Sequence, residues 1–229
     1  MQIFITRPAD QYDRTAALVC AAGHEPVAAP LLHVVFTNPV IDWAEVGMIA
    51  VTSRHGAVAL AHAGAPPEIP VLAVGPGTAA TLREVGITAA DVAQSSGADL
   101  LPRLVARWTG GRIIHLSGRV VSFDLASAGQ AQSLPIERMI GYDTVPNTAL
   151  PKPLAIGLVT LPCAGIGFFS PRSAQTFVVL RARSAAVDLI GGWTALCLSV
   201  PIAEALHRVG FGHVRVAQQP NLAAWAGLL

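Results

Sequence analysis

The chain has little charge. Of its 229 residues only 13% are Asp, Glu, Lys or Arg, and 52% are apolar; a typical soluble domain carries roughly 25% charged residues. Such a composition excludes a disordered chain, which would be polar and charge-rich. With 15 basic and 14 acidic residues the net charge is +1, too small to hold nucleic acid non-specifically, so no nucleic-acid partner is expected. Lysine is nearly absent: Lys152 is alone, and arginine supplies the other cations. Arginine forks a carboxylate with two hydrogen bonds where lysine offers a point charge. That usage suits anionic small molecules, and coding bias explains it equally well.

Other absences narrow the chemistry. Cys20, Cys163 and Cys197 are odd in number, far apart and free of any C-x-x-C, which fits free thiols in a reducing compartment. The seven histidines form no H-x-x-x-H and no cluster with acids, so no metal site is expected. Leu116-Ser117-Gly118-Arg119 lacks the first glycine of a G-x-S-x-G elbow, and no Walker A run is present. No two acids occupy comparable loops, which leaves two-carboxylate chemistry without a seat. The opening MQIFITRPADQ lacks the layout of a signal peptide. The longest charge-free stretch, Pro153 to Pro171, is broken by Gly157, Pro162, Gly165 and Gly167. It reads as helix, turn and buried strand, so no membrane partner is expected and a cytoplasmic location is.

What is present is alternation. Strands are predicted at Gln2–Ile5, Met48–Val51, Val71–Val74, Arg112–Leu116, Gly165–Phe169 and Ala195–Leu198. Helices are predicted at Asp10–Ala22, His55–Ala63, Thr78–Val85, Asp99–Trp108, Ser173–Ala182 and Ile202–Val209. Runs this apolar suit strands buried on both faces of a parallel α/β sheet. The chain also repeats itself. The segment from Met48 to Leu60 resembles that from Gly165 to Phe177, pairing Ser53 with Ser170. Farther on, Gly75 and Gly86 are 11 residues apart, as are Ser199 and Gly210. Val92-Ala93-Gln94 and Val216-Ala217-Gln218 then follow at equal distance. Two copies of one α/β fold are inferred, at a period too long for a solenoid. Pro30–Phe36 and Glu137–Pro146 are short and β-prone. They read either as edge strands or as a connector, in which case one domain is built from both chain ends around the other.

The loops leading into helices carry Thr6-Arg7-Pro8, Thr52-Ser53-Arg54-His55, Gly75-Pro76-Gly77-Thr78, Ser117-Gly118-Arg119, Ser170-Pro171-Arg172 and Ser199-Val200-Pro201. Hydroxyls, arginines and free helix N–H groups with almost no acid make anion sites. Each Ser or Thr alone reads equally as a plain N-cap. Gly75 to Ala80 matches the loose G-x-G-x-x-A dinucleotide form, but Asp91 and Asp99 do not close a convincing second strand after it. Tyr142, one of two tyrosines, is a candidate proton donor or a packed aromatic.

Ile5-Thr6-Arg7-Pro8, Gly23-His24-Glu25-Pro26 before Pro30-Leu31-Leu32, Val51-Thr52-Ser53, Val74-Gly75-Pro76-Gly77-Thr78 with Leu82 and Gly86, Tyr142-Asp143-Thr144-Val145-Pro146 and Phe169-Ser170-Pro171 together resemble the uroporphyrinogen-III synthase family, nearly end to end and in order. The resemblance implies two similar flavodoxin-like α/β domains with parallel sheets joined by a two-stranded β connector. The expected boundaries are residues 1–33 with 146–229 for one domain, 37–137 for the other, and 34–36 with 138–145 for the connector. The active site would lie between the domains. It implies a cofactor-free lyase of tetrapyrrole biosynthesis that closes linear hydroxymethylbilane with loss of water and inversion of ring D, through a spiro intermediate. By motif, Tyr142 matches the tyrosine proposed to help the hydroxyl depart. Arg7, Thr52, Ser53, Arg54, Gly75, Thr78, Ser117, Gly118, Arg119, Ser170, Arg172 and Ser199 stand at substrate-binding positions. Ser199-Val200-Pro201-Ile202 and Arg54-His55 depart from the family's usual pattern. A monomer is expected, with transient contact to the preceding pathway enzyme allowed. The alternative is a two-lobed anion- or nucleotide-binding protein without this catalysis.

Overall fold

The computed structural model describes residues 1–94, 96–184 and 189–229. The chain divides into two compact units, Met1–His33 with Val145–Leu229, and Val34–Thr144. The first unit opens with β1 (Gln2–Ile5), α1 (Tyr12–Ala21) and β2 (Glu25–Ala28), and β3 (Leu32–Phe36) carries the chain into the second. There follow β4 (Val46–Val51), α2 (Arg54–His62), β5 (Val71–Val74), α3 (Pro76–Glu84), β6 (Ala89–Ala93), α4 (Gly97–Arg107), β7 (Arg112–Gly118) and α5 (Leu125–Gln130). β8 (Ile136–Pro146) returns the chain. Then α6 (Lys152–Thr160), β9 (Gly165–Phe168), α7 (Pro171–Ala182), β10 (Thr194–Cys197), α8 (Val200–Ala205), β11 (His213–Val216) and α9 (Leu222–Ala226) complete the first unit.

The first unit holds a five-stranded parallel sheet in the order β11-β10-β9-β1-β2. In chain order that is 2-1-3-4-5, the flavodoxin succession. The second holds β3-β8-β7-β4-β5-β6, in which β4 to β8 are parallel. Without β3 this sheet reads 3-2-1-4-5, and the first reads the same if counting starts at β9. The two sheets are thus one arrangement, circularly shifted, and the sequence repeat is its signature: β4 corresponds to β9 and β5 to β10.

Strand composition explains the layers. β5 and β9 are buried at every residue and β4 at all but Gly47, because helices cover both faces of each sheet. In the first unit Phe4, Phe168, Phe177 and Trp193 pack on one face, and Ile3, Ile5, Leu196 and Trp225 on the other. In the second, Ile49 and Val51 of β4 pack against Leu60 of α2 and Leu82 of α3 on one face, while Met48 of β4 and Leu72 of β5 pack with Leu100 and Leu104 of α4 on the other. Each such side chain contributes about 1.5–3 kcal/mol on full burial.

Several elements differ from expectation. β2 and β11 are edge strands with mostly exposed or half-buried residues, so they lack the continuous apolar run that marks the inner strands. The stretch carrying Asp91 is β6, a true second strand after α3. Its acid is taken up by Arg103 (2.6 Å) and Arg107 (2.9 Å), which removes the free carboxylate a dinucleotide ribose needs. α8 ends at Ala205, short of the expected Val209, because the chain tightens into i→i+3 turns through Leu206 and Val209. α5 and α9, of six and five residues, went unpredicted.

Candidate functional site

Parallel sheets bind ligands outside the strand ends where the chain reverses its order of travel. In the second unit the chain starts at β4, moves outward through β5 and β6, then returns to β7 and β8 on the other side. The reversal falls between the ends of β4 and β7. A cavity of about 220 Å³ opens there, lined among others by Thr52, Ser53, Ser96, Gly118, Phe123 and Tyr142.

Tyr142 reaches this cavity because of one irregularity. β8 follows β7 in register up to Ser117↔Ile140, then shifts so that Gly118 pairs with Tyr142. Gly141 is the extra residue of a bulge. Side chains alternate faces along a strand, so a one-residue bulge moves everything beyond it to the opposite face. Without it Tyr142 would share the face of Ser117; with it, Tyr142 lies beside α2. Gly141 suits the place, since a Cβ there would come within 2.8 Å of Ala59 Cβ and 3.0 Å of Leu116 Cγ. The Arg119 N–H donates to the Tyr142 carbonyl. The Tyr142 ring covers Gly118 and sits 5.2 Å from the His55 ring. Tyr142 Oη is 2.9 Å from Ser53 Oγ, and Ser53 Oγ also caps α2 by accepting from the Gly56 N–H at 3.0 Å. If the Ser53 hydroxyl donates to the phenol oxygen, the phenol proton remains available.

The loop after β7 is held from below by a residue with no earlier role. Arg138 of β8 donates from Nε to Ser117 Oγ (2.9 Å), and from one terminal nitrogen to the carbonyls of Gly118 and Arg119 (both 2.7 Å). Three acceptors on three successive residues fix Gly118 under Tyr142. Beside it His115 is buried, with Nε2 3.2 Å from Thr52 Oγ1. Burial, helped by the Arg138 charge and opposed by Asp124, lowers its pKa to about 4. The unfolded ring takes a proton near 6.5. Between those values the unfolded chain holds more protons, so stability falls as the solution is acidified. From pH 7 to 4.5 the histidine alone is expected to remove about 2–3 kcal/mol. Urea titrations at both pH values should show that loss, and His115→Gln should lack the histidine's share. An equal pH dependence in the variant would contradict it.

A family model described as uroporphyrinogen-III synthase HemD matches residues 13–227. The chain belongs to the uroporphyrinogen-III synthase family. Among solved structures, the uroporphyrinogen-III synthetase of Helicobacter pylori has a TM-score of 0.66 at 14% identity, covering 99% of this chain and 97% of that one. A mutant uroporphyrinogen III synthase of the extremely thermophilic bacterium Thermus thermophilus has a TM-score of 0.49 at 17% identity, covering 100% and 97%. The Helicobacter likeness shows a shared two-sheet α/β fold. A search of curated proteins gives no match.

The residues expected to serve a uroporphyrinogen-III synthase are distributed as follows. Thr52, Ser53, Gly118 and Tyr142 line one cavity. Arg54 is exposed, its guanidinium over Gly77 at the start of α3. Gly75 precedes that helix at φ +79°, a conformation glycine adopts freely, and Thr78 is buried in its first turn. Ser117 is buried on Arg138, and Arg119 pairs with Asp143 at 2.7 Å. In the other unit, Arg7 is half-buried over the Phe169 ring at 4.9 Å and donates to Gln11 and Thr15. Ser170 caps α7 through the Ser173 N–H. Arg172 lines a separate groove along α7, with Thr176 and Arg183. Ser199 precedes α8 without capping it through its side chain. Sequence reasoning passed over Ser96, Phe123, His115 and Arg138. Ser96 had a readable signal, the capping box it forms with Asp99.

Proposed function

We propose that Tyr142 is the proton donor of this uroporphyrinogen-III synthase and that the cavity at the β4–β7 reversal receives the reacting end of hydroxymethylbilane. The observation that carries the reading is the Tyr142 phenol held 2.9 Å from Ser53 Oγ at the edge of that cavity. Tyr142 Oη–H protonates the hydroxyl of the substrate's hydroxymethyl group, its C–O bond breaks, and water leaves. The carbon so exposed is attacked by the substituted α-carbon of ring D. The spiro intermediate then rearranges, ring D is inverted, and the ring proton released on closure restores the phenol. Ser53, donating to the phenol oxygen, stabilises the charge that develops there.

The rest of the task is orientation. The bilane also closes unaided to the unrotated type I isomer, so the protein must hold one folded conformer. Carboxylates on the acetate and propionate arms suit Arg54 at the α3 N-terminus, the hydroxyl of Thr52 and the backbone of Gly75 and Gly118. Arg7, Arg119, Ser170, Arg172 and Ser199 are offered as further contacts, with Thr78 and Ser117 acting by shaping their loops. No helix among the described residues is long and apolar enough to cross a membrane. The free cysteines support a reducing, cytoplasmic setting, and one copy of the chain is taken to suffice. Freshly prepared hydroxymethylbilane, incubated with the purified protein and oxidised, should give porphyrin enriched in type III. A product ratio identical to the protein-free type I background would defeat the proposal.

A further inference from the structure

Thr52 and His115 form a pair with a property of their own. Thr52 follows β4 and lines the cavity. His115 on the adjacent β7 is only 1% exposed, with Nε2 3.2 Å from Thr52 Oγ1. Its Nδ1 is sealed from solvent and has no hydrogen-bond partner among the described residues. That asymmetry selects a tautomer. A proton on Nδ1 would strand a buried N–H donor with no acceptor, whereas a proton on Nε2 leaves only a lone pair unpaired, and orphaned N–H groups are the rarer and costlier kind. Nε2–H therefore donates to Thr52 Oγ1. A hydroxyl oxygen that accepts one bond still has its own proton to give, and Thr52 Oγ1 has no other hydrogen-bond partner among the described residues. Thr52 is among the residues that line the cavity.

We propose that His115 is a positioning residue that fixes the Thr52 hydroxyl as a hydrogen-bond donor to a carboxylate oxygen of the substrate. The hydroxyl of a free threonine rotates between donor and acceptor settings; with Nε2–H held on one lone pair, rotation is restricted and its own proton is left to give. This rests on the cavity being the substrate site, and the test separates the two.

Long-range ¹⁵N–¹H correlation spectra of the histidine-labelled full chain at neutral pH should show His115 as the Nε2–H tautomer; the Nδ1–H tautomer overturns the proposal. In steady-state assays with hydroxymethylbilane, Thr52→Val and His115→Phe should each raise KM roughly tenfold, the scale of one lost hydrogen bond, with kcat within about twofold. The double variant should be no worse than Thr52→Val, because one interaction is being removed twice. His115→Gln, whose amide nitrogen reaches the Nε2 position, should restore most of the affinity. Multiplying effects in the double variant, roughly a hundredfold, would overturn the positioning role and leave the cavity's role standing. An unchanged KM in Thr52→Val would overturn the proposal, and the cavity's role would then be judged by Tyr142→Phe alone. Should His115→Phe not fold, the spectrum of the unaltered protein decides alone.

Discussion

Replacing Tyr142 with Phe is expected to lower kcat by about 10²–10⁴, the range for a general acid, with the fold intact. The substitution deletes one oxygen. The ring keeps its seat over Gly118 and beside His55, and Ser53 keeps its capping bond from Gly56. The lost contact with Ser53 is partly exposed, so stability should change little. Uncatalysed closure supplies an internal control: as the enzyme slows, type I porphyrin should rise at the expense of type III. Circular dichroism should superimpose on that of the unaltered protein. A fall in kcat of only a few-fold would return Tyr142 to a packing role and move the proton donor elsewhere.

A comparable loss is expected from a residue that carries no functional group. Gly118 pairs with Tyr142 across the bulge. A Cβ on Gly118 would stand 2.7 Å from Tyr142 Cζ, 2.8 Å from Cε2 and 2.9 Å from Oη. Gly118→Val must therefore push the ring off its position. Neither partner can yield easily by backbone movement, because Arg138 clamps the Gly118 and Arg119 carbonyls and the Arg119 N–H holds the Tyr142 carbonyl. Misplacing a reacting group by about 1 Å can cost on the order of 10²-fold, so kcat should fall by at least about that factor. In the Tyr142→Phe background the same change should add little, since the group it displaces is already inactive. Full activity in Gly118→Val would show that the ring position does not matter to the reaction. By contrast, the nearest atoms to a Cβ on Gly77 would be those of the Arg54 guanidinium, the movable end of a long side chain.

The central strands and the repeat were legible because they rest on burial. Strands covered on both faces must be apolar, and the loops that follow β4 and β9 still share their serine and arginine. The correspondence of β1 and β2 with β7 and β8 was not, since Thr6-Arg7-Pro8 and Ser117-Gly118-Arg119 have little in common. Nor was the bulge: Gly141 in a β-prone run is compatible with a regular strand, and only the register with β7 reveals the shift. Arg138 and His115 looked like ordinary polar interruptions. Their meaning depends on neighbours 20 or more residues away, Ser117 and Gly118 for one and Thr52 for the other. A histidine inside the apolar run Ile113 to Leu116 was the one hint of burial. The helix-capping reading of Ser53 and Ser170 was available from a serine at the entry to a helix, whereas the second contact of Ser53, with Tyr142, was not.

The circular shift between the two sheets has a consequence for synthesis on the ribosome. Strands β4 to β8 are contiguous in the chain, so the second unit can close as soon as residue 144 has emerged. β1 and β2 are made first, yet β1 lies in the middle of its sheet and its other neighbour, β9, begins at Gly165. At about 5–20 residues per second, β1 waits roughly 7–30 s after β2 with one edge bare. That nascent two-stranded stub, with Ile3, Phe4 and Ile5 on its bare-edged strand, is where another unpaired strand would find the protein most vulnerable.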